Sequence, residues 1–191
     1  MASKNRDASA CFSTGSVSLI LDTSSIVRIR NFSDVIPVYA NYFNLFTLEK
    51  NKRELNYLGG SAERAHILEV SKELIQQFHA ENIKKLRNGA PYVNMPKSFE
   101  RDINKKFPEN NLSYTDKLLM FFASSAPGNV AIVTNDRELR TIASEIGLMA
   151  FGAFDLHIIM EHLTFRPASL DELRPYVDEA RQIIEAMNPS N

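Results

Sequence analysis

The chain alternates short apolar runs with longer stretches in which apolar residues recur every three or four positions. The first run, Val17-Ser18-Leu19-Ile20-Leu21, stops at Asp22, and Thr23, Ser24 and Ser25 then offer hydroxyls suited to starting a helix. Residues 34–48 carry Val35, Ile36, Val38, Tyr39, Tyr42, Phe43, Leu45, Phe46 and Leu48, which predicts a helix with a broad apolar face and Pro37 in its first turn. Gly59-Gly60 breaks the chain. A longer helix is predicted from Ser61 to about Arg87, with Ile67, Leu68, Leu74, Ile75 and Phe78 mostly on one side and Asn88-Gly89 as its stop. Tyr92-Val93-Asn94-Met95 reads as a second strand, and Pro96 opens a helix through about Lys106. Ser113 caps another helix, whose Leu118, Leu119, Phe121, Phe122 and Ala123 predict burial. Asn129-Val130-Ala131-Ile132-Val133-Thr134 is the clearest strand. A helix over 136–146 ends at Gly147, and Leu148-Met149-Ala150-Phe151 is a fourth strand. Helices at about 154–163 and 169–187 complete the pattern.

Strands that alternate with helices of this length predict parallel βαβ units. The expected fold is α/β: a three-layer sandwich with a central parallel sheet of about four to five strands flanked by helices. Residues 1–16, rich in Ser, Ala and Asn, read as a disordered tail, residues 17–165 as the main domain with a helical insertion at about 34–88, and residues 166–191 as a C-terminal helix. The length of 191 residues suits one domain. A net charge of −1 lacks the strong basic balance of a dedicated nucleic-acid-binding domain, though a bound cation would add positive charge to an acidic site. The single cysteine, Cys11, excludes an internal disulfide and a cysteine-clustered zinc site. No apolar run is long enough to span a membrane, and Met1-Ala2-Ser3-Lys4-Asn5-Arg6-Asp7 lacks a secretory core, so a cytoplasmic setting is expected.

Four acids change the picture. Asp22 follows the first strand and Asp136 follows the strand at 129–134, positions that open onto the functional edge of a parallel sheet. Asp116 and Asp102 sit in early helical turns. Each acid alone reads as an ordinary helix cap or first-turn carboxylate. Together, in this order along a βα alternation, they predict a site whose mutual repulsion calls for a cation. Hard oxygen donors without His or Cys favour Mg2+ or Mn2+ over zinc, and His66, His79, His157 and His162 show no paired metal spacing. Such a centre suits phosphodiester hydrolysis.

The same residues resemble the PIN domain family, the metal-dependent nuclease fold of VapC-like toxin ribonucleases and RNA-processing factors. Leu21-Asp22-Thr23-Ser24-Ser25 matches its opening strand, acid and hydroxyls. Ser113-Tyr114-Thr115-Asp116-Lys117-Leu118-Leu119 matches its Ser-x-x-Asp step into a buried helix. Val133-Thr134-Asn135-Asp136-Arg137-Glu138-Leu139 matches its Thr-x-Asp block, and Ile146-Gly147-Leu148-Met149-Ala150-Phe151 its Gly-led next strand. The resemblance covers about residues 17–163. The family's Pro-x-x-apolar-x-x-Glu-apolar frame falls on Pro96-Lys97-Ser98-Phe99-Glu100-Arg101-Asp102-Ile103, where Asp102 stands for the Glu and Glu100 lies two residues earlier. Two helical residues so spaced differ by about 200°, so one of them faces a given site. Glu69 and Glu73 are remoter alternatives.

The resemblance implies a ribonuclease, endonucleolytic in its expected action, that leaves a 5′-phosphate and a 3′-hydroxyl. Asp22, Asp116 and Asp136 would bind the metal, completed by Asp102 or Glu100, with Thr134 and Ser24 supporting. Lys117, beside Asp116, and Arg101 are expected to hold the RNA backbone. The basic runs Lys84-Lys85 with Arg87, and Arg101 with Lys105-Lys106, read more readily as solvated faces, with Lys117 the favoured backbone contact. Asp22-Thr23-Ser24 does not make a metal-dependent adhesion motif, because Ile26 stands where a second Ser belongs, nor a haloacid-dehalogenase motif, because Ser24 stands where a second Asp belongs. The alternative from another class is a catalytically impaired PIN-like scaffold that binds RNA or a protein. A homodimer and an antitoxin or other protein partner are the further partners that the resemblance and the apolar stretch at 35–48 leave open.

Overall fold

The computed structural model describes residues 15–29, 32–48, 50–51, 68–69, 83–85, 91–126 and 128–188. Five parallel strands form one sheet: β1 (Ser18–Leu21), β2 (Asn44–Thr47), β3 (Leu68–Glu69), β6 (Val130–Val133) and β7 (Ala150–Phe151). Its order is β3-β2-β1-β6-β7. A separate antiparallel pair joins β4 (Ile83–Lys85) to β5 (Pro91–Val93). The described helices are α1 (Thr23–Arg28), α2 (Phe32–Tyr39), α3 (Lys97–Lys106), α4 (Tyr114–Ser125), α5 (Arg137–Glu145), α6 (Ala153–His162) and α7 (Leu170–Met187). They flank the sheet on both faces, the three-layer α/β sandwich that the alternation predicts.

Strand periodicity builds the two cores. Ile20 and Ile132 point to one face, where they meet Ile103 of α3, Leu118, Leu119 and Phe122 of α4, and Leu139 and Ile142 of α5. Leu19, Leu21, Ala131 and Val133 point to the other, against Ile26, Ile36, Leu156, Ile159, Leu173 and Val177. Each large apolar side chain so buried contributes about 1.5–3 kcal/mol. The C-terminal helix α7 belongs to this second layer. Its Arg181 Nη2 also donates to the Ala150 carbonyl at 2.9 Å.

Three expectations from the sequence need correction. The apolar stretch at 34–48 is not one helix. It is α2, a turn and then β2, because Leu45, Phe46 and Thr47 are all buried beside β1, and a strand buried on both faces is continuously apolar. Within the predicted helix at 61–87, Leu68–Glu69 and Ile83–Lys85 are strands, while its other residues lie outside the described ones. Tyr92-Val93 belongs to the antiparallel pair, and the second strand of the main sheet is β2. The predicted tail at 1–16 lies outside the described residues except Gly15 and Ser16, and Ser16 is buried.

The strand order fixes where a site forms. From β1 the sheet grows one way through β2 and β3, and the other way through β6 and β7. The reversal falls between β1 and β6, and a crevice opens there beyond the carboxyl ends of the two strands. Asp22 is the residue after β1, and Thr134 the residue after β6.

Candidate metal centre

Asp22 is buried, 6% exposed, and is held from every side. Its Oδ1 accepts from the Thr23 amide at 2.7 Å and from Asn51 Nδ2 at 3.0 Å. Its Oδ2 accepts from Ser24 Oγ at 2.6 Å, Thr134 Oγ1 at 2.9 Å and the Ser24 amide at 3.3 Å. A buried carboxylate without such donors would be strongly disfavoured. The cap of α1 and the orientation of the acid are therefore one arrangement.

Thr134 ties the two strands' acids together. Its hydroxyl donates to Asp22 and accepts from the Asp136 amide at 3.1 Å. Asp136 Oδ1 in turn accepts from the Leu139 amide at 3.1 Å and caps α5. Ser24 Oγ accepts from the Asn135 amide at 3.0 Å, and Asn135 Nδ2 donates to the Ser24 carbonyl at 3.0 Å. The third acid arrives on α4. Ser113 and Asp116 form a reciprocal capping box, with the Ser113 amide donating to Asp116 Oδ2 at 2.7 Å and the Asp116 amide to Ser113 Oγ at 3.2 Å.

The three acids act on one another. Burial pushes the Asp116 carboxyl up from its usual range, the Ser113 hydrogen bonds pull it back, and the negative charges of Asp22 and Asp136 push it up again. The charges of Asp22 and Asp136 thus both reach Asp116. Asp102 does not join them: its side chain is 69% exposed and lies 3.7 Å from Arg101, itself 77% exposed. Glu100 is half-buried on the same helix, on the side that carries buried Ile103. Lys117 is buried behind Asp116, so its stem packs in the core, and it makes no ion pair with a described residue. Glu73 lies outside the described residues, and Glu69 ends β3.

Asn51 is the residue that the sequence does not announce. It is fully buried and donates to both Asp22 Oδ1 and Thr23 Oγ1, the latter at 3.1 Å, while its own Oδ1 has no hydrogen-bond partner. Next to it, Lys50 Nζ lies 3.9 Å from the centre of the Tyr114 ring at the start of α4. The Lys50-Asn51 pair therefore spans from Asp22 to the helix of Asp116. No periodicity marks it.

These residues fit a hard divalent ion in their chemistry. All donors are oxygens, the acids repel one another, and an orphaned buried amide oxygen lies beside Asp22. The present geometry is not yet a chelate, for among the described residues no three His, Cys, Asp or Glu side chains are close enough to share one ion. Asp22 is fully engaged with protein donors, whereas Asp116 and Asp136 each have one carboxylate oxygen outside their caps. No family model, curated protein or solved structure matches the chain. Among the described residues, no helix is long and apolar enough to cross a membrane.

Proposed function

We propose that the chain is a PIN-like, Mg2+- or Mn2+-dependent ribonuclease. The observation that carries this reading is the placement of Asp22 and Asp136 at the switch point of the sheet, with Asp116 close enough to feel both charges. Asp116 and Asp136 would hold the ion through their uncapped oxygens, and Asp22 would join when Ser24 or Thr134 turns its hydroxyl away. A divalent ion there supplies a Lewis acid for the scissile phosphate and the charge that three carboxylates need. The protein's own part is positional. Thr134 and Ser24 fix Asp22, Asn51 fixes its second oxygen, and the capping box of α4 fixes Asp116. Glu100, half-buried, is better placed than exposed Asp102 for a fourth carboxylate.

One observation favours a second reading, a PIN-like scaffold without catalysis: every lone pair of Asp22 already has a protein donor. Incubating the folded protein with end-labelled single-stranded RNA separates the two readings. Cutting in Mg2+ or Mn2+ that EDTA abolishes supports the nuclease. RNA bound without cutting in either metal supports the scaffold.

A further inference from the structure

A cavity of about 720 Å³ adjoins the centre, with Arg28, Tyr39, Asn135, Ala153, Phe154 and His157 in its lining. It shares two walls with the acids. Helix α1 supplies Ser24 to the centre and Arg28, one turn on, to the cavity. The turn after β6 supplies Thr134 and Asp136 to the centre and Asn135, between them, to the cavity. Asn135 Oδ1 also accepts from the Ala153 amide at 3.1 Å, which brings the start of α6 and its Phe154 to the rim. The cavity and the acids are thus neighbours along the same two segments of chain.

The lining has the chemistry of a nucleotide site. Phe154 is 49% exposed, so part of its ring is accessible to a stacking partner at the rim. Arg28 is exposed and has no ion-pair partner among the described residues. Tyr39 is buried, yet its hydroxyl makes no hydrogen bond to a described residue, and burial first and the Glu161 charge second keep the phenol protonated, a donor. His157, 3.4 Å from Glu161, closes the far wall. The volume lies within the roughly 300–1,000 Å³ usual for small-ligand pockets.

We infer that this cavity is a subsite for one unpaired nucleotide of single-stranded RNA, with the base stacked on Phe154, the phosphate held by Arg28 and the Tyr39 hydroxyl donating to the base edge or the ribose. The inference rests on the ribonuclease reading for the identity of the strand, and it gives a role to exposed Arg28 and half-exposed Phe154 beside an acidic centre that alone would repel phosphate.

The test is fluorescence anisotropy of a labelled, short single-stranded oligoadenylate with the full chain in EDTA, where cleavage chemistry plays no part. Phe154→Ala is expected to weaken binding roughly 5- to 100-fold, the scale of one lost base–aromatic stack. Arg28→Ala is expected to lower the slope of log affinity against log salt by about 0.7, one phosphate contact on a single strand. Tyr39→Phe, which keeps the core ring, is expected to weaken binding while leaving thermal unfolding unchanged. Unchanged affinity in both Phe154→Ala and Arg28→Ala, or no binding by the wild type, overturns the subsite. Metal-dependent cleavage by a wild type whose variants bind normally would leave the nuclease standing without this subsite. Binding with the expected pattern but no cleavage would leave the subsite and remove the nuclease.

Discussion

Asn51 Nδ2 donates to Asp22 Oδ1 at 3.0 Å across 29 positions of sequence, and both side chains are buried. The contact completes the donor shell of the acid that ends β1. Asn51→Ala leaves that oxygen with the Thr23 amide alone. The expected cost is about 1.5–3 kcal/mol, the usual worth of a hydrogen bond to a charged group, read from urea unfolding. Asn51→Asp is expected to cost more in EDTA, because it sets a second carboxylate against Asp22, and to recover part of the loss in Mn2+.

Thr134 serves two partners with one hydroxyl. Thr134→Val keeps the shape but strips both the Asp22 donor and the Asp136 amide's acceptor, in a residue with no exposed surface. A loss of about 1–3 kcal/mol is expected, with Thr134→Ser restoring most of it. Equal stability of the Val and Ser variants in urea titrations would show that the hydroxyl is idle.

Asp116 gives a prediction of opposite sign. Its carboxyl is raised above the unfolded value of 3.8, so the folded chain holds this proton more tightly than the unfolded one. That contribution to stability is present below the unfolded value and is lost as pH rises through the raised folded value. At neutral pH without metal, Asp116→Asn is therefore expected to unfold at a higher temperature than wild type, by a small margin because the site is partly open to solvent. The difference should shrink as pH falls toward 3.8. A lower melting temperature for the variant in neutral EDTA would contradict the charge crowding.

Gly152 is the N-cap of α6, where an added Cβ would press on two side-chain oxygens. A Cβ there would lie 2.8 Å from Asp155 Oδ2 and 3.2 Å from Asn135 Oδ1. Asp155 Oδ2 already accepts from the Gly152 amide at 2.6 Å, and Asn135 braces Ser24. Gly152→Ala is expected to destabilise by about 1–3 kcal/mol and to disturb the centre through Asn135. Calorimetric melting gives the first effect, and weaker Mn2+ affinity the second.

What the sequence revealed follows from the range of its physical signals. The strand-end positions of Asp22 and Asp136 were legible because an acid directly after Leu19-Ile20-Leu21, or two residues beyond Ile132-Val133-Thr134 in sequence order, has few places to go but the end of a strand. Asp116 was legible through its Ser113 capping box, a local motif. Strand β2 was not, because Tyr42, Phe43, Leu45 and Phe46 satisfy helical spacing as well as the continuous burial of a central strand. Asn51 was not, because its role exists only through a contact with a residue distant in sequence. Asp102 matched the family frame by spacing alone, and that spacing carried no information about which side of α3 faces inward; Ile103 and the Phe99–Phe121 ring contact, 5.3 Å between centroids, set that side.

Whether Asp22, Asp116 and Asp136 hold one divalent centre decides the metal-dependent reading of the site. Titration calorimetry of Mn2+ into the wild type, Asp116→Asn, Asp136→Asn and, as an exposed control, Asp102→Asn measures this. The account predicts saturable binding that is lost or weakened at least about tenfold, some 1.4 kcal/mol, in the first two variants and is unchanged in Asp102→Asn. Binding of equal strength in all four proteins would contradict it.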